Sequence, residues 1–229
     1  EMTADAIVVG AGTGGCAAAL ALARSGRTVV MTEETDWIGG QLTQQAVPPD
    51  EHPWIEQFGG TRSYREFRTR VRDYYRSNYT LTGAAGRSDY LNPGAGSVSR
   101  LCHEPRVALA VLRDMLAPHV SAGRVILLLE HKAVEAHTAG DTVRAVTARD
   151  LRGGHDVVLH APYIIDATEL GDVLPLAGVE YVVGAEAQSD TGEMHAPADY
   201  QPDNHQAFTY CFAMDYVEDA DHTIDKPRD

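Results

Sequence analysis

The N-terminal segment of the chain contains apolar runs typical of strands and, between them, a run typical of a helix. Residues 6–9 are continuously apolar up to Gly10, a pattern that predicts a strand buried on both faces. Residues 14–25 are small or apolar helix formers, and Gly26 ends that stretch. A second β-rich run follows at residues 28–32. The three segments predict a strand, a helix and a second strand in direct succession.

Two longer helices are predicted farther along the chain. In residues 62–76, aromatic and apolar side chains recur at helical spacing, so we expect one face of that helix to pack inward. The second helix is predicted to begin at Pro105, because proline suits the first helical position, and to end at Pro118. Residues 39–60 and 80–100 are rich in turn-forming residues, so we expect irregular loops there.

Short β-rich runs dominate the chain after Gly123. Four of them are predicted to form a small antiparallel meander. The next run, Tyr163–Ile165, is continuously apolar, which predicts a return to the parallel sheet. A last strand is predicted over residues 207–214. The four meander runs are residues 125–129, 133–137, 142–147 and 157–160.

Composition and charge narrow the classes of function. The 229 residues are 44% hydrophobic and 23% charged, as in ordinary globular proteins. The net charge of −14 repels phosphate backbones and anionic membrane surfaces, so neither nucleic acid nor a membrane is an expected partner. The longest apolar run, Cys16–Ala23, is too short for a membrane helix, and the first residues are not those of a signal peptide. We expect a soluble protein of the cytoplasm.

Cysteine usage agrees with a reducing compartment. Cys16, Cys102 and Cys211 are too few and too scattered for a disulfide framework. The sequence has no Cys-x-x-Cys pair for zinc or thiol exchange, and we predict no metal site. Acidic residues are concentrated after Glu186, where we expect a solvated loop.

Three glycines carry the clearest chemical signal. Gly10, Gly12 and Gly15 form a G-x-G-x-x-G pattern between the first predicted strand and helix. Gly10 permits a tight turn, Gly12 lets a pyrophosphate approach the backbone, and Gly15 permits close packing. Glu33 ends the second strand, where a carboxylate accepts hydrogen bonds from ribose hydroxyls. The pattern predicts a dinucleotide site, for either FAD or NAD.

Two further segments favour FAD. Residues 34–41, an acid followed by Gly39-Gly40, resemble the corresponding segment of flavoproteins built like glutathione reductase. Residues 161–168 resemble the Ala-Thr-Gly strand of that superfamily, which returns beside the first strand. The chain is thus similar to the FAD-dependent oxidoreductase family. The resemblance implies an α/β fold with a doubly wound parallel sheet of the FAD-binding Rossmann type, a small antiparallel β-meander and a partial substrate domain.

The resemblance implies FAD as the cofactor and a set of contacts to it. Glu169 departs from the family pattern, which has glycine at this position, so a carboxylate replaces a close approach to the cofactor. The expected cofactor contacts are Gly10, Gly12, Thr13, Gly14, Gly15, Glu33, Glu34, Gly40, Gln41, Val134, Ala167 and Thr168.

The resemblance also implies a division into domains. We expect residues 1–45 and 101–180 to form a discontinuous FAD-binding domain, residues 46–100 an irregular and helical insertion, and residues 181–229 the start of a substrate domain. Since the family normally continues beyond this point, we expect the N-terminal part of a longer or split enzyme. Its expected partners are a small-molecule substrate and a missing C-terminal segment, a second chain or another copy of itself.

The predicted chemistry is direct transfer between a substrate carbon and the flavin. Pyridine-nucleotide disulfide reductases carry redox cysteines just beyond the Gly-Gly pair, but residues 41–45 contain none. We therefore predict oxidation or hydroxylation of a small organic substrate. The alternatives are an NAD-dependent dehydrogenase with the same fingerprint and a cofactor-holding subunit without turnover of its own.

The candidate catalytic residues are Arg100, Cys102 and His103, just before the predicted start of a helix at Pro105. His103 has an ordinary pKa suited to proton transfer, and Arg100 suits an anionic substrate. Alternatively, this segment only caps the helix and Cys102 fills the core. The six arginines of residues 62–76 either bind an anion or pair with acids at the surface.

Overall fold

A computed structural model describes residues 1–208, 210–211 and 217–226 of the chain. The strands are β1 (Met2–Thr3), β2 (Ala6–Val9), β3 (Val29–Glu33), β4 (Val125–Leu129), β5 (His131–Ala139), β6 (Thr142–Asp150), β7 (Asp156–His160) and β8 (Tyr163–Asp166). The helices are α1 (Thr13–Arg24), α2 (Arg62–Asn78), α3 (Gly83–Gly86), α4 (Pro105–Ser121), α5 (Val173–Ala177) and α6 (Gln188–Thr191). A single 3-10 turn at Gly40–Leu42 is the remaining helical element in the described ranges.

β2 is an inner strand of a four-stranded parallel sheet with the order β4-β3-β2-β8. Its Ala6 pairs with Val29 of β3 on one side and with Tyr163 of β8 on the other. The predicted succession of strand, helix and strand is confirmed, and so is the return of the later apolar run to this sheet. Every residue of β2 and β3 is buried, as expected for strands covered on both faces.

The two faces of the parallel sheet are covered by different elements. Val8 and Met31 pack in one core with residues of α1, α2 and α4. Their neighbours Ile7 and Val30 point the other way and pack in a second core with residues of β5, β6 and β7. The molecule therefore has a helical layer, a parallel sheet and a second sheet, and the predicted α/β class is confirmed.

The second sheet contains the predicted meander, but with one strand fewer than expected. β5, β6 and β7 are antiparallel neighbours, and β1 joins the far edge of β7 in parallel. The prediction is wrong for residues 125–129, because β4 pairs in parallel with β3, with Val125 opposite Val29. α4 precedes β4 and supplies the long connection that parallel neighbours require, whereas a meander strand follows a short turn.

α4 begins at Pro105 as predicted, but its predicted end at Pro118 is wrong. The helix continues to Ser121. Pro118 lacks only its own N–H donor, and its carbonyl oxygen still accepts a hydrogen bond from the N–H of Ala122, 3.1 Å away. A proline in the last turn therefore leaves the end of the helix intact.

The helix predicted over residues 62–76 is confirmed as α2, whose buried face includes Phe67 and Val71. Residues 39–60 and 80–100 are irregular apart from the 3-10 turn and α3. Residues 46–100, the expected insertion in the FAD-binding domain, thus contain α2, the short α3 and loops, and the domain division itself stays a prediction.

The last predicted strand, over residues 207–214, lies partly outside the described residues, which omit 209 and 212–216. The described residues 207–208 and 210–211 form no strand. Within the described ranges, no helix combines the length and apolar character needed to cross a membrane.

Candidate functional site

A cleft of about 130 Å³ opens at the carboxyl ends of β2, β3 and β8. Parallel α/β sheets bind their ligands in this position. We call it the strand-end cleft. Its lining residues include Gly10, Gly12, Glu33, Glu34, Lys132, Ala167, Thr168, Glu169 and Asp172.

In the glycine turn after β2, the fold requires glycine at Gly10 and Gly15, whereas Gly12 borders open space. Gly10 has a φ of +93°, and a Cβ atom placed on it would lie 2.5 Å from the carbonyl oxygen of Ala167. A Cβ atom on Gly15 would lie 2.0 Å from the carbonyl oxygen of Gly10. Gly12 has an ordinary φ of −61°, and a Cβ atom there would come near only one side chain, that of Glu169. Gly12 is therefore the glycine whose missing side chain leaves room for a ligand.

The N-terminus of α1 begins at this turn without a side-chain cap. Its N-cap residue is Gly12, and its first turn contains no acidic residue. Thr13 turns its hydroxyl away from the helix backbone and donates to the carbonyl oxygen of Gly39, 3.0 Å away. Because the first N–H groups of a helix have no partner within the helix, this end attracts an anion.

Glu33, at the end of β3, holds the glycine turn in place. Its buried carboxylate accepts a hydrogen bond from the N–H of Ala11 through Oε2, over 3.0 Å. Oε1 accepts from the N–H and hydroxyl of Thr35, over 3.0 and 2.9 Å. These three bonds leave limited acceptor capacity for ribose hydroxyls. Sequence reasoning missed this second role, which only the register of β2 and β3 reveals.

Glu34 and Lys132 form an exposed ion pair at the rim of the cleft. Glu34 Oε2 and Lys132 Nζ are 3.0 Å apart. The hydrogen bond to the Glu34 carboxylate raises the pKa of the Lys132 ammonium. Lys132 therefore keeps its charge at the cleft, but Glu34 already neutralises it.

The predicted Gly-Gly segment packs directly on the glycine turn. The N–H of Gly39 donates to the carbonyl oxygen of Ala11 over 2.7 Å. A Cβ atom on Gly40 would lie 3.1 Å from the Cα atom of Gly12. Since Gly39 and Gly40 have φ values of +107° and +50°, only residues that tolerate the left-handed region suit this contact.

A hydrogen-bond network fixes the turn after β8. Asp166 accepts from the N–H and hydroxyl of Thr168 through Oδ1, over 3.0 and 2.7 Å. Its Oδ2 accepts from the N–H of Val173 at the start of α5, over 2.8 Å. The Thr168 hydroxyl accepts in turn from the N–H of Asp172. Asp166 is a residue that sequence reasoning missed, although an acid at the end of an apolar strand was a visible signal.

Six of the expected cofactor contacts lie outside the lining of the strand-end cleft, namely Thr13, Gly14, Gly15, Gly40, Gln41 and Val134. Gln41 is exposed and borders a second cleft with Thr13 and Tyr64. Gly14 is exposed in the first turn of α1, with open space where a Cβ atom would lie. Val134 follows Ala133 in β5, and of these two only Ala133 lines the cleft. Their contacts with FAD stay predictions.

The candidate catalytic residues lie together before α4, and none of them lines the strand-end cleft. Arg100 is exposed. Cys102 is buried, and its N–H donates to Asn92 Oδ1 over 2.6 Å.

His103 is largely buried, and its ring packs edge-on against Phe67. Burial of the ring lowers the pKa of His103 below its ordinary value, which favours the neutral imidazole. Its Nδ1 lies 3.2 Å from the carbonyl oxygen of Glu104, so Nδ1 carries the proton and Nε2 is the basic nitrogen. Nε2 is buried and has no hydrogen-bond partner among the described residues.

Two of the α2 arginines neither are free to bind an anion nor pair with acids at the surface, as the two predicted alternatives required. Arg68 is buried and forms ion pairs with Glu51 and Glu56, and Arg72 also pairs with Glu56. The Tyr64 hydroxyl donates to Glu51. Loop and helix are thus joined by a buried charge cluster of Glu51, Glu56, Arg68 and Arg72, which leaves these two arginines unavailable to an anion.

Comparisons with known proteins agree with this geometry. The family model described as FAD dependent oxidoreductase matches residues 5–228. No curated protein matches the sequence.

Solved structures resemble the chain at low identity. THI4 from Thermovibrio ammonificans is 18% identical, with a TM-score of 0.49, over 86% of this chain and 76% of that one. The myxobacterial FAD-dependent chondrochloren halogenase CndH is 16% identical, with a TM-score of 0.46, over 73% of this chain and 38% of that one. Glycerol-3-phosphate dehydrogenase from Bacillus halodurans, solved with FAD, is 15% identical, with a TM-score of 0.46, over 76% and 36%. The chain thus spans less than half the length of the latter two proteins.

Proposed function

Because the chain belongs to the family of FAD-dependent oxidoreductases, we propose that it holds FAD in the strand-end cleft and takes part in oxidising or hydroxylating a small organic substrate. The observation that carries this proposal is the uncapped N-terminus of α1, beside the open space at Gly12. An anionic diphosphate suits both features. The residues present therefore fit the cofactor.

The residues of the cleft divide the binding of FAD among them. Gly12 and the first turn of α1 would receive the diphosphate, and Glu33 and Glu34 would accept hydrogen bonds from ribose hydroxyls. Asp166 keeps the turn at Thr168 in place beside them. Bound FAD supplies an acceptor for two electrons, which is the chemistry that none of these side chains provides.

Substrate oxidation proceeds by direct transfer in this proposal. A thiol relay needs a pair of cysteines beside the cofactor, and the chain has none between Gly39 and Gln45. The chain's own residues then orient the substrate, exclude water and accept a proton.

His103, which lies before α4 and outside the lining of the strand-end cleft, is the proposed proton acceptor, and its buried Nε2 must become accessible to a substrate for this role. In the FAD-loaded protein, His103→Gln should lower the rate of the chemical step by about 100-fold and leave the flavin bound. An unchanged rate would assign His103 to packing and helix capping alone.

Anaerobic mixing with candidate substrates tests the reaction class. We expect the flavin absorbance to bleach with at least one member of a panel of alcohols, amines and hydroxy acids, or with a nicotinamide reductant before hydroxylation. The Gly12→Val protein, mixed with the same panel and the same FAD, is the control for free flavin. Saturable binding of NAD in place of FAD would support the dehydrogenase alternative and overturn the proposal.

A further inference from the structure

Glu169 places a carboxylate between the two glycine segments of the strand-end cleft. Its Oε1 atom would lie 3.4 Å from a Cβ atom on Gly12 and 3.1 Å from one on Gly40. The Glu169 side chain is exposed. An acidic side chain therefore lies beside the space at Gly12 that the diphosphate requires.

The charges of the cleft give the diphosphate little other support. Glu33, Glu34 and Asp172 line the cleft with Glu169, whereas Lys132 is its one lysine or arginine in the described ranges. Lys132 is paired with Glu34. The uncapped N-terminus of α1 is consequently the main positive pole of the site, and such a pole favours a nearby carboxylate as it favours a phosphate.

We infer that Glu169 competes with the diphosphate of FAD for the N-terminus of α1 and thereby sets the affinity of the cleft for diphosphate ligands. This inference rests on the FAD site of the proposed function. Binding must move the Glu169 side chain aside, and its charge then remains near two phosphate charges of the same sign. Adenosine carries no phosphate, so its binding should not depend on Glu169.

Two variants separate the charge of Glu169 from its bulk. Glu169→Gln keeps the shape and removes the charge, whereas Glu169→Gly removes both. Asp172→Asn is the matched control, because Asp172 lines the same cleft and carries the same charge. No atom of Asp172 lies within 4 Å of a Cβ atom on Gly12. Thermal unfolding of each apo-protein checks that all three variants fold.

Dissociation constants for FAD, ADP and adenosine provide the test. Glu169→Gln should bind FAD and ADP about tenfold more tightly than the parent protein, and Glu169→Gly at least as tightly. Asp172→Asn should change both affinities by less than about threefold, and no variant should change the affinity for adenosine.

The outcomes distinguish this inference from the proposed function. If the parent protein binds FAD and Glu169→Gln binds it no more tightly, the inference is wrong and the proposed function stands. An equal gain in FAD affinity in Glu169→Gln and Asp172→Asn would also overturn the inference, since the overall negative charge of the cleft would then explain the effect. Failure of the parent and all variants to bind FAD would overturn both.

Discussion

The Glu33 carboxylate accepts a hydrogen bond from the backbone N–H of Ala11, with Oε2 and the nitrogen 3.0 Å apart. Ala11 is fully buried between the first two glycines of the turn. The acid expected to bind ribose also holds the turn that we propose as the diphosphate site. We therefore expect folding and cofactor binding to depend on the same side chain.

Glu33→Ala should destabilise the apo-protein as well as weaken FAD binding. The variant leaves the buried N–H of Ala11 without its acceptor, which should lower the free energy of unfolding by about 1–3 kcal/mol. Glu34→Ala, which removes only an exposed ion pair, should lower it by less than about 1 kcal/mol. Urea unfolding without FAD makes the comparison, and equal losses in the two variants would contradict the role assigned to Glu33.

Gly12→Val and Gly15→Val should fail in different ways. A Cβ atom at Gly12 meets only the movable Glu169 carboxylate, so the apo-protein should keep its free energy of unfolding within about 1 kcal/mol and lose FAD. A side chain at Gly15 meets the carbonyl oxygen of Gly10, so that variant should lose about 3 kcal/mol or more. Circular dichroism and FAD titration of both proteins separate the two effects. A Gly12→Val protein that is unfolded without FAD would show that Gly12 serves the fold instead.

Arg68 should matter far more to stability than Arg70 on the same helix. The Arg68 and Glu51 side chains are 4% and 2% exposed, whereas Arg70 is 41% exposed. Arg68→Met leaves Glu51 buried without its cation and should lower the free energy of unfolding by about 3–5 kcal/mol. Arg70→Met should lower it by less than about 1 kcal/mol.

The double variant of this pair provides the check on the cause. Adding Glu51→Gln to Arg68→Met removes the unpaired charge and should restore part of the lost stability. No recovery in the double variant would show that packing of the arginine side chain, and not its charge, supports the loop.

His103 should make the folded state less stable as the pH falls below 6.5. Burial holds the pKa of His103 below its ordinary value of 6.5, so the unfolded chain takes up a proton there that the folded chain does not. Stability is thus lost with falling pH, by up to about 1.4 kcal/mol per pH unit, and this contribution is absent above 6.5. In urea unfolding between pH 5 and 7, His103→Gln should show a smaller slope than the parent protein. Identical slopes would contradict the assigned pKa direction.

The sequence predicted those parts of the fold that local patterns determine. The apolar run of β2, the glycines after it and the small residues of α1 lie within residues 6–25, so their succession was readable. The partner of β4 was not, because an apolar run of five residues is compatible with either sheet. Only the position of β4 after α4 shows that it joins the parallel sheet.

The sequence did single out Gly12 and Glu33, which line the strand-end cleft, because one residue type at one position of the pattern identifies them. The pairing of Glu51 with Arg68 was not predictable, since it joins a loop to a helix 17 positions away and follows no local spacing. The position of Glu169 beside Gly12 likewise depends on how β8 lies against β2, a relation between distant parts of the chain.

The most direct measurement of the central claim is a titration of the purified apo-protein with FAD, followed by flavin fluorescence, in parallel with Gly12→Val. We expect saturation at about one FAD per chain in the parent protein, and at least tenfold weaker binding in the variant, because its side chain fills the space for the diphosphate. Absence of saturable FAD binding in the parent protein, or equal affinity in the two folded proteins, would contradict the claim that the strand-end cleft holds FAD.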